Sequence, residues 1–491
     1  MEANTKQIVT RIAPSPTGFL HVGTLRTALY NYLLAKKHGG KFLLRIEDTD
    51  RERLVEGAVE GLIRVLNAMG LDYDEGPILV NGNLDEKGEH GPYTQSSRLD
   101  IYKKHIDQLV EAGYAYPCFC TKERLENNRN QQLLAKLPTR YDRTCSKLSN
   151  DEVQRRIKSK EPFVIRMNIP EGQTSFEDEI RGTITIENNE IDDQVLLKSD
   201  GFPTYHLAVV VDDHLMGVTH VIRGEEWISS APKHVILYNW FQFPLPTYAH
   251  LPLILNPDKS KLSKRQGDVA VEDYLKKGYL PDALINFVAL LGFNPTGDRE
   301  IYTIQELIES FDLHKINKSG AVFNIEKLNW MNGAYIRITA DDELLTLCTS
   351  FLGELTKVDQ DFLKRIIHIE KERLVVLSEI SGKVQPYLQV PEYQTDLLVW
   401  KKSDLADAKV QLQGILDLIQ TFSTNTFSTL ELIEGAVKEY ISKRELQNGN
   451  VLWPLRVALS GAAQSANPFE LLWILGKEES IIRIKQALER L

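Results

Sequence analysis

A chain of 491 residues, 42% of them hydrophobic, is too long for one small core and predicts several domains. No apolar stretch reaches the length of a membrane helix, and the start, Met1 to Lys6, lacks the apolar core of a secretory signal, so no membrane contact and a cytoplasmic location are expected. The net charge of −10 argues against indiscriminate polyanion binding, and four cysteines over this length do not make a disulfide framework.

In chain order, Lys6 to Ala13 sets Ile8, Thr10 and Ile12 on one side, a strand pattern, and Leu25, Ala28, Leu29 and Leu33 follow at helical spacing. That helix is expected to stop at His38-Gly39-Gly40. Phe42 to Ile46 reads as a second strand ending in Glu47-Asp48-Thr49-Asp50, and Leu54, Ala58, Leu62, Val65, Leu66 and Met69 mark a second helix. Strand, helix, strand, helix predicts an α/β fold with a parallel, doubly wound sheet. Ligands of such sheets sit beyond the carboxyl ends of strands, where Ser15, His21 and Glu47 fall.

From about Tyr93 to Asp200 the pattern is irregular, with strand-like pieces at Phe163 to Arg166 and Thr183 to Ile186, and it predicts an inserted domain. Between Thr121 and Lys160, eleven Lys and Arg stand against five Asp and Glu. This local excess opposes the global sign and reads either as a solvated helical surface or as a nucleic-acid contact. The sheet resumes with a strand over Val218 to Arg223, a helix through Val235 to Leu237, and an apolar run, Leu251 to Leu255, that leads to Lys261. Nearly everything beyond is helical: Ala283 to Leu291, Asp361 to Ile380, Asp404 to Thr421, Thr429 to Leu446, and Pro468 to the end. A long helical tail on a nucleotide-binding domain suggests a module for a large, extended partner.

The chemistry is concentrated in two separated segments. Ala13-Pro14-Ser15-Pro16-Thr17-Gly18-Phe19-Leu20-His21-Val22-Gly23-Thr24 follows a strand and opens a helix, so its Pro and Gly can turn backbone N–H groups toward a phosphate. Lys261-Leu262-Ser263-Lys264-Arg265 sets two ammonium groups where they can neutralise a leaving pyrophosphate. Alone, each is weak. An insertion that splits one sheet explains why they lie so far apart.

Together they resemble the class I aminoacyl-tRNA synthetases. Arg11 to Gly18, Leu43 to Asp50, Lys198 to Tyr205 and Val210 to Glu226 are similar, more narrowly, to the bacterial glutamyl-tRNA synthetases. The resemblance implies a Rossmann-type catalytic domain over 1–98 and 201–256, split by an α+β acceptor-stem-binding domain over 99–200. A stem-contact domain with the lysine loop (257–337) and an all-helical anticodon-binding region (338–491) would follow. It implies ligation of L-glutamate to tRNA(Glu) in two steps, adenylate formation from ATP with Mg2+ and then transfer to the 3′-terminal adenosine. His21, Gly23 and Lys264 would bind ATP, with Lys261 assisting catalysis. Arg11, Ser15, Glu47, Tyr205 and Arg223 would bind glutamate, Arg223 taking the side-chain carboxylate and Glu47 the ammonium. A monomer is the family's habit. Arg11 and Arg223 also have a purely structural reading, as partners of Asp212, Asp213 or Glu225.

Thr24 stands where the general class I signature has a second histidine, and Leu262 where the lysine loop has Met; both also occur in the glutamyl branch. Cys118, Cys120 and Cys145 resemble a zinc knuckle of the inserted domain, but Lys147 occupies the place of the fourth ligand. Three thiols alone favour buried cysteines over zinc, unless Tyr141 or a remote His substitutes. Three rivals remain: a form that also glutamylates tRNA(Gln), a glutaminyl enzyme or truncated paralogue, and a binding protein that has lost catalysis. Pro14-Ser15-Pro16-Thr17-Gly18 and the helical tail disfavour the second; intact His21, Gly23, Lys261 and Lys264 disfavour the third.

Overall fold

A computed structural model describes residues 7–262 and 269–491. They form two compact units, 1–276 with 281–325 and 277–280 with 326–491. Lys264 and Arg265 lie outside the described residues.

In the first unit, β1 (Val9–Ile12) and β2 (Lys41–Leu44) pair in parallel, with Val9 opposite Lys41 and Ile12 opposite Leu44, and α1 (Val22–Lys37) connects them. Three of the four residues in each strand are buried regardless of side, as a parallel sheet covered on both faces requires. Helix α2 (Ala58–Ala68) begins later than its apolar spacing suggests. Arg51–Arg53 form a separate 3-10 turn, with Arg53 paired back to Asp50, and Leu54 is left exposed. A hairpin of β3 (Gly76–Val80) and β4 (Asn83–Lys87) precedes α3 (Leu99–Glu111).

The irregular stretch then supplies β5 (Ala115–Cys118), α4 (Lys122–Leu134), α5 (Asn150–Lys158), β6 (Val164–Met167), β7 (Gln173–Asp178), β8 (Gly182–Glu187) and β9 (Val195–Leu197). Strands β5, β6 and β9 make their own antiparallel sheet, packed on a core with Tyr102, Ile106 and Leu109 of α3. The β7–β8 hairpin does not belong to that sheet.

After it come α6 (Tyr205–Leu215), β10 (His220–Gly224), α7 (Ala231–Phe241), β11 (Thr247–Leu251) and β12 (Ile254–Leu255). Strands β10 and β11 are parallel, and Asp178 of β7 pairs with Tyr248 of β11, giving the order β10-β11-β7-β8. The run Leu251 to Leu255 is therefore no single strand: β11 ends at Leu251 and β12 starts after Pro252. The Thr219 N–H donates to the Val9 carbonyl at 2.9 Å, which ties the start of β10 to β1. The unit closes with α8 (Val271–Lys276), α9 (Pro281–Ala289), α10 (Ile304–Ser310) and β13 (Ala321–Val322), which pairs with β12.

The second unit is helical: α11 (Ile325–Ile338, nearly all of it here), α12 (Asp341–Leu352), α13 (Gln360–Glu370), α14 (Ile380–Leu388), α15 (Leu405–Thr421), α16 (Leu430–Lys443), α17 (Asn448–Ser460) and α18 (Pro468–Arg490), the last broken by a kink at Gly476. No strand follows Val322 among the described residues. The helix read over Asp361 to Ile380 ends at Glu370; 3-10 turns at Lys371–Arg373 and Leu377–Glu379 fill the stretch before α14, and between them Asn332 Nδ2 donates to the Val375 carbonyl at 2.6 Å.

Candidate functional site

A cavity of about 980 Å³ opens at the carboxyl ends of β1 and β10. Arg11, Ser15, His21, Gly23, Glu47, Tyr205, Arg223 and Lys261 all line it, so eight of the nine residues named for substrate binding and catalysis meet in one place. The ninth, Lys264, lies outside the described residues.

The phosphate-facing corner is built by α1. His21 caps the helix: its Nδ1 accepts the Gly23 N–H at 2.9 Å, which leaves Nε2 as the proton-bearing nitrogen of the neutral ring. A Cβ at position 23 would sit 3.1 Å from that Nδ1, so glycine allows the imidazole its close approach. Two main-chain bonds, Val22 N–H to the Val269 carbonyl and Val271 N–H to the Leu20 carbonyl, both 2.9 Å, hold the helix start against the far side of the lysine segment. On the near side, Leu262 N–H donates to the Ile254 carbonyl at 3.0 Å. Backbone bonds thus tie the first signature segment to Val269 and Val271, and the start of the second to β12.

At the cavity wall and buried behind it, the charges fall into two groups. Arg11 Nε donates to Asp213 Oδ1 at 3.1 Å. Arg45, fully buried, gives Nη1 to the same oxygen at 2.6 Å and Nη2 to Glu47 Oε1 at 3.1 Å. Arg98 bonds Asp212 at 2.8 Å, where Gln95 and Tyr102 also donate. Three guanidinium groups therefore meet three carboxylates. Burial works to raise the Asp213 carboxyl, but Arg11 and Arg45 outweigh it and hold it below the usual range. For Glu47 burial wins, and its carboxyl is pushed up against the pull of Arg45 and Arg11. The structural reading of Arg11 is real, yet its terminal nitrogens make no hydrogen bond to any described residue and stand at the cavity wall.

Arg223 is different. It is 6% exposed, and no carboxylate lies within ion-pair distance of it among the described residues. Nε donates to His250 Nε2 at 3.1 Å, and Nη1 reaches Tyr205 Oη at 2.9 Å and His234 Nδ1 at 3.2 Å. Asp178 Oδ2 lies 2.6 Å from His250 Nδ1, and His206 Nδ1 lies 3.1 Å from His234 Nε2. Asp213 is named from the sequence as a partner of Arg11, whereas Arg45, His234 and His250 escape a reading of the sequence alone. For Arg45 a signal exists, since it sits two residues before Glu47 in an extended run and so shares its face. Nothing local announces that Asp178 and His250 meet.

The cysteines form a separate cluster. The sulfurs of Cys118, Cys120 and Cys145 lie within 4.8 Å of one another, and the Tyr141 hydroxyl stands 3.3 Å from both Cys118 and Cys120. Lys147 is on the 3-10 turn Thr144–Lys147 and is not part of the cluster. The hydrogen bond from Cys145, with Tyr141 and Arg166 helping, pulls the Cys118 thiol below the ordinary thiol range, and burial opposes this.

The description "tRNA synthetases class I (E and Q), catalytic domain" matches residues 7–330, and "Anticodon binding domain" matches 343–488. The glutamate–tRNA ligase of Clostridium tetani is 47% identical over 99% of both chains, and that of Clostridioides difficile 45% identical over 96% of this chain and 97% of its own. The chain belongs to the glutamate–tRNA ligase family of class I aminoacyl-tRNA synthetases. The crystal structure of a glutamate tRNA ligase from Elizabethkingia meningosepticum, in complex with its amino acid, superposes with a TM-score of 0.88 at 36% identity, covering 98% of this chain and 99% of that one. The architecture of this family is that described above: a class I catalytic domain of mixed α/β sheets followed by a helical anticodon-binding region. Glutamyl synthetases of this class use ATP, with Mg2+ as its companion ion. The relatives give no support to the reading in which tRNA(Gln) is also charged. No described helix is long and apolar enough to cross a membrane.

Proposed function

We propose that the cavity ligates L-glutamate to tRNA(Glu) at the expense of ATP, and that the residues lining it divide the work as follows. Arg223 receives the side-chain carboxylate in a fork of N–H donors, Glu47 faces the ammonium, and Arg11, Ser15 and Tyr205 complete the amino-acid pocket. His21 Nε2–H and the N-terminus of α1, freed for close approach by Gly23, hold the phosphates of ATP. A glutamate carboxylate oxygen attacks the α-phosphorus in line, the bond to pyrophosphate breaks, and Lys264, assisted by Lys261, neutralises the departing charge. A ribose hydroxyl of the 3′-terminal adenosine then attacks the adenylate carbonyl, and AMP leaves. No protein nucleophile is needed; the site positions groups and answers charge.

Residues 99–200, with their basic excess, take the acceptor end; 257–337 lie along the stem; and 338–491 read the anticodon. Cys118, Cys120 and Cys145 supply three thiol donors of the kind that bind zinc, with the Tyr141 hydroxyl beside them as a further oxygen, and an ion held there would brace the turn after β5.

The observation that carries this reading is Arg223, a buried guanidinium with no carboxylate partner among the described residues, in one cavity with the capped start of α1. Purified chain given L-glutamate, ATP, Mg2+ and tRNA is expected to form glutamyl-tRNA, AMP and pyrophosphate, and Lys264→Ala to lower kcat on the order of a hundredfold. Lack of charging by the unaltered chain, or indifference to Lys264→Ala, overturns the assignment.

A further inference from the structure

The cavity holds two solutions to the same problem, the placing of a buried arginine. Arg11 is fixed by a carboxylate, which also cancels much of its charge. Arg223 is fixed by neutral acceptors: an imidazole nitrogen of His250 on Nε, and Tyr205 Oη with an imidazole nitrogen of His234 on Nη1. Each imidazole is itself held from behind. Asp178 takes the Nδ1–H of His250, which leaves Nε2 as an acceptor, and His206 takes the Nε2–H of His234, which leaves Nδ1 as one. Asp178 is in turn immobilised, since its Oδ1 accepts the Ile180 and Arg181 N–H groups at 3.0 and 2.8 Å and its Oδ2 the His250 N–H at 3.0 Å. His250 is fully buried and His234 nearly so, and burial first, the Arg223 charge adding to it, disfavours protonation of both rings.

We propose that His250, fixed by Asp178, and His234, fixed by His206, are positioning residues that orient Arg223 while leaving its charge un-neutralised, and that this neutral clamp sets the preference for a side-chain carboxylate over a carboxamide. The proposal rests on the reading of Arg223 as the receiver of the glutamate side chain. A guanidinium offers only donors, so a carboxylate satisfies it with both oxygens, whereas a carboxamide must turn an NH2 toward a donor. Both histidine acceptors are already engaged by Arg223, and neither is available to that NH2. A carboxylate in place of an imidazole would hold the fork equally well but would weaken its attraction for the substrate anion. The hairpin of β7 and β8, which lies within the inserted stretch, thereby contributes to amino-acid choice through one residue, Asp178.

The test uses the full-length chain and three variants, with KM measured separately for glutamate, ATP and tRNA and with glutamine as competitor. His250→Phe keeps a ring but removes the acceptor. It should raise the glutamate KM on the order of tenfold or more, leave the ATP KM within about twofold, and reduce selectivity against glutamine by a similar factor. His250→Gln restores an acceptor and should return the glutamate KM to within about threefold of the unaltered chain. Asp178→Asn keeps the oxygen that caps Ile180 and Arg181 and serves where His250→Phe fails to fold; it should raise the glutamate KM several-fold with the ATP KM unchanged. An unchanged glutamate KM in a folded His250→Phe or Asp178→Asn chain, or equal rises for glutamate and ATP, overturns the clamp. Absence of glutamylation by the unaltered chain would instead sink the underlying reading of the site.

Discussion

Asp213 is the pivot of the charge-balanced cluster, since one of its oxygens serves both Arg11 and Arg45. Removing a partner from such a buried network leaves uncompensated charge in a low-dielectric interior, which typically costs about 3 kcal/mol or more. Asp213→Asn is therefore expected to lower thermal stability at neutral pH by that order. The pH dependence has a definite sign. Burial opposes ionisation of Asp213, but Arg11 and Arg45 hold its folded-state pKa below the ordinary value, so its contribution is complete above about pH 4, where the unfolded carboxyl titrates, and is lost as pH falls through the lower folded value. The difference in melting temperature between the unaltered chain and Asp213→Asn should narrow on acidification below pH 4. An equal difference at neutral pH and in acid would show that the stabilisation is not the carboxylate's charge. Glu47 shifts in the opposite direction through burial, which is why the comparison with the Asn variant, rather than the whole acid transition, isolates Asp213.

At the level of elements, the end of β5, where Cys118 pairs with Val164 of β6, the short turn after it and the loop that returns at Tyr141 bring three thiols and a phenol together. The zinc reading of this cluster predicts one ion per chain, measurable by elemental analysis of chelator-washed protein, against the buried-cysteine reading, which predicts none. Tyr141→Phe should lower occupancy, and Cys145→Ser should abolish it and reduce the melting temperature. Metal-free protein of unchanged stability would mark the cluster as ordinary buried cysteines. This site also shows what the sequence carries and what it withholds. The Cys-x-Cys spacing and the distant third cysteine are readable, whereas Tyr141 joins them only because the loop folds back. The same holds in the cavity. Residues that sit on turns and strand ends next to Pro, Gly or an opening helix, such as Ser15, His21 and Glu47, are legible because local geometry dictates where they point. His250 and Asp178 lie 72 residues apart in sequence and meet through one backbone pairing of β7 with β11, which no local pattern encodes. Of the hairpin only β8 is readable as a strand, at Thr183 to Ile186, and alternation cannot say which sheet a strand joins.

At the scale of the whole molecule, the path of the chain constrains where it can be cut. Residues 277–280 belong to the helical unit, where Leu280 N–H donates to Asn332 Oδ1 at 2.8 Å and Leu377 N–H donates to the Gly278 carbonyl at 3.0 Å. Gly278 has φ +84°, and a Cβ there would fall 2.7 Å from the Leu377 backbone nitrogen, so the contact depends on glycine. A chain ending after Ile336 keeps every residue that lines the cavity and keeps Asn332, but it loses the Leu377 contact and the whole segment matched to anticodon binding. Such a protein is expected to melt at lower temperature and still bind ATP, because His21, Gly23 and the backbone bonds to Val269 and Val271 are untouched. Its charging of tRNA should fall on the order of a hundredfold or more, since the recognition of unstacked bases, worth about 1–3 kcal/mol for each stacked base, leaves with the helices. Measured together, ATP binding by calorimetry and glutamylation by filter assay separate the two losses. Retained binding with lost charging assigns tRNA selection to the helical unit, and undiminished charging refutes that assignment.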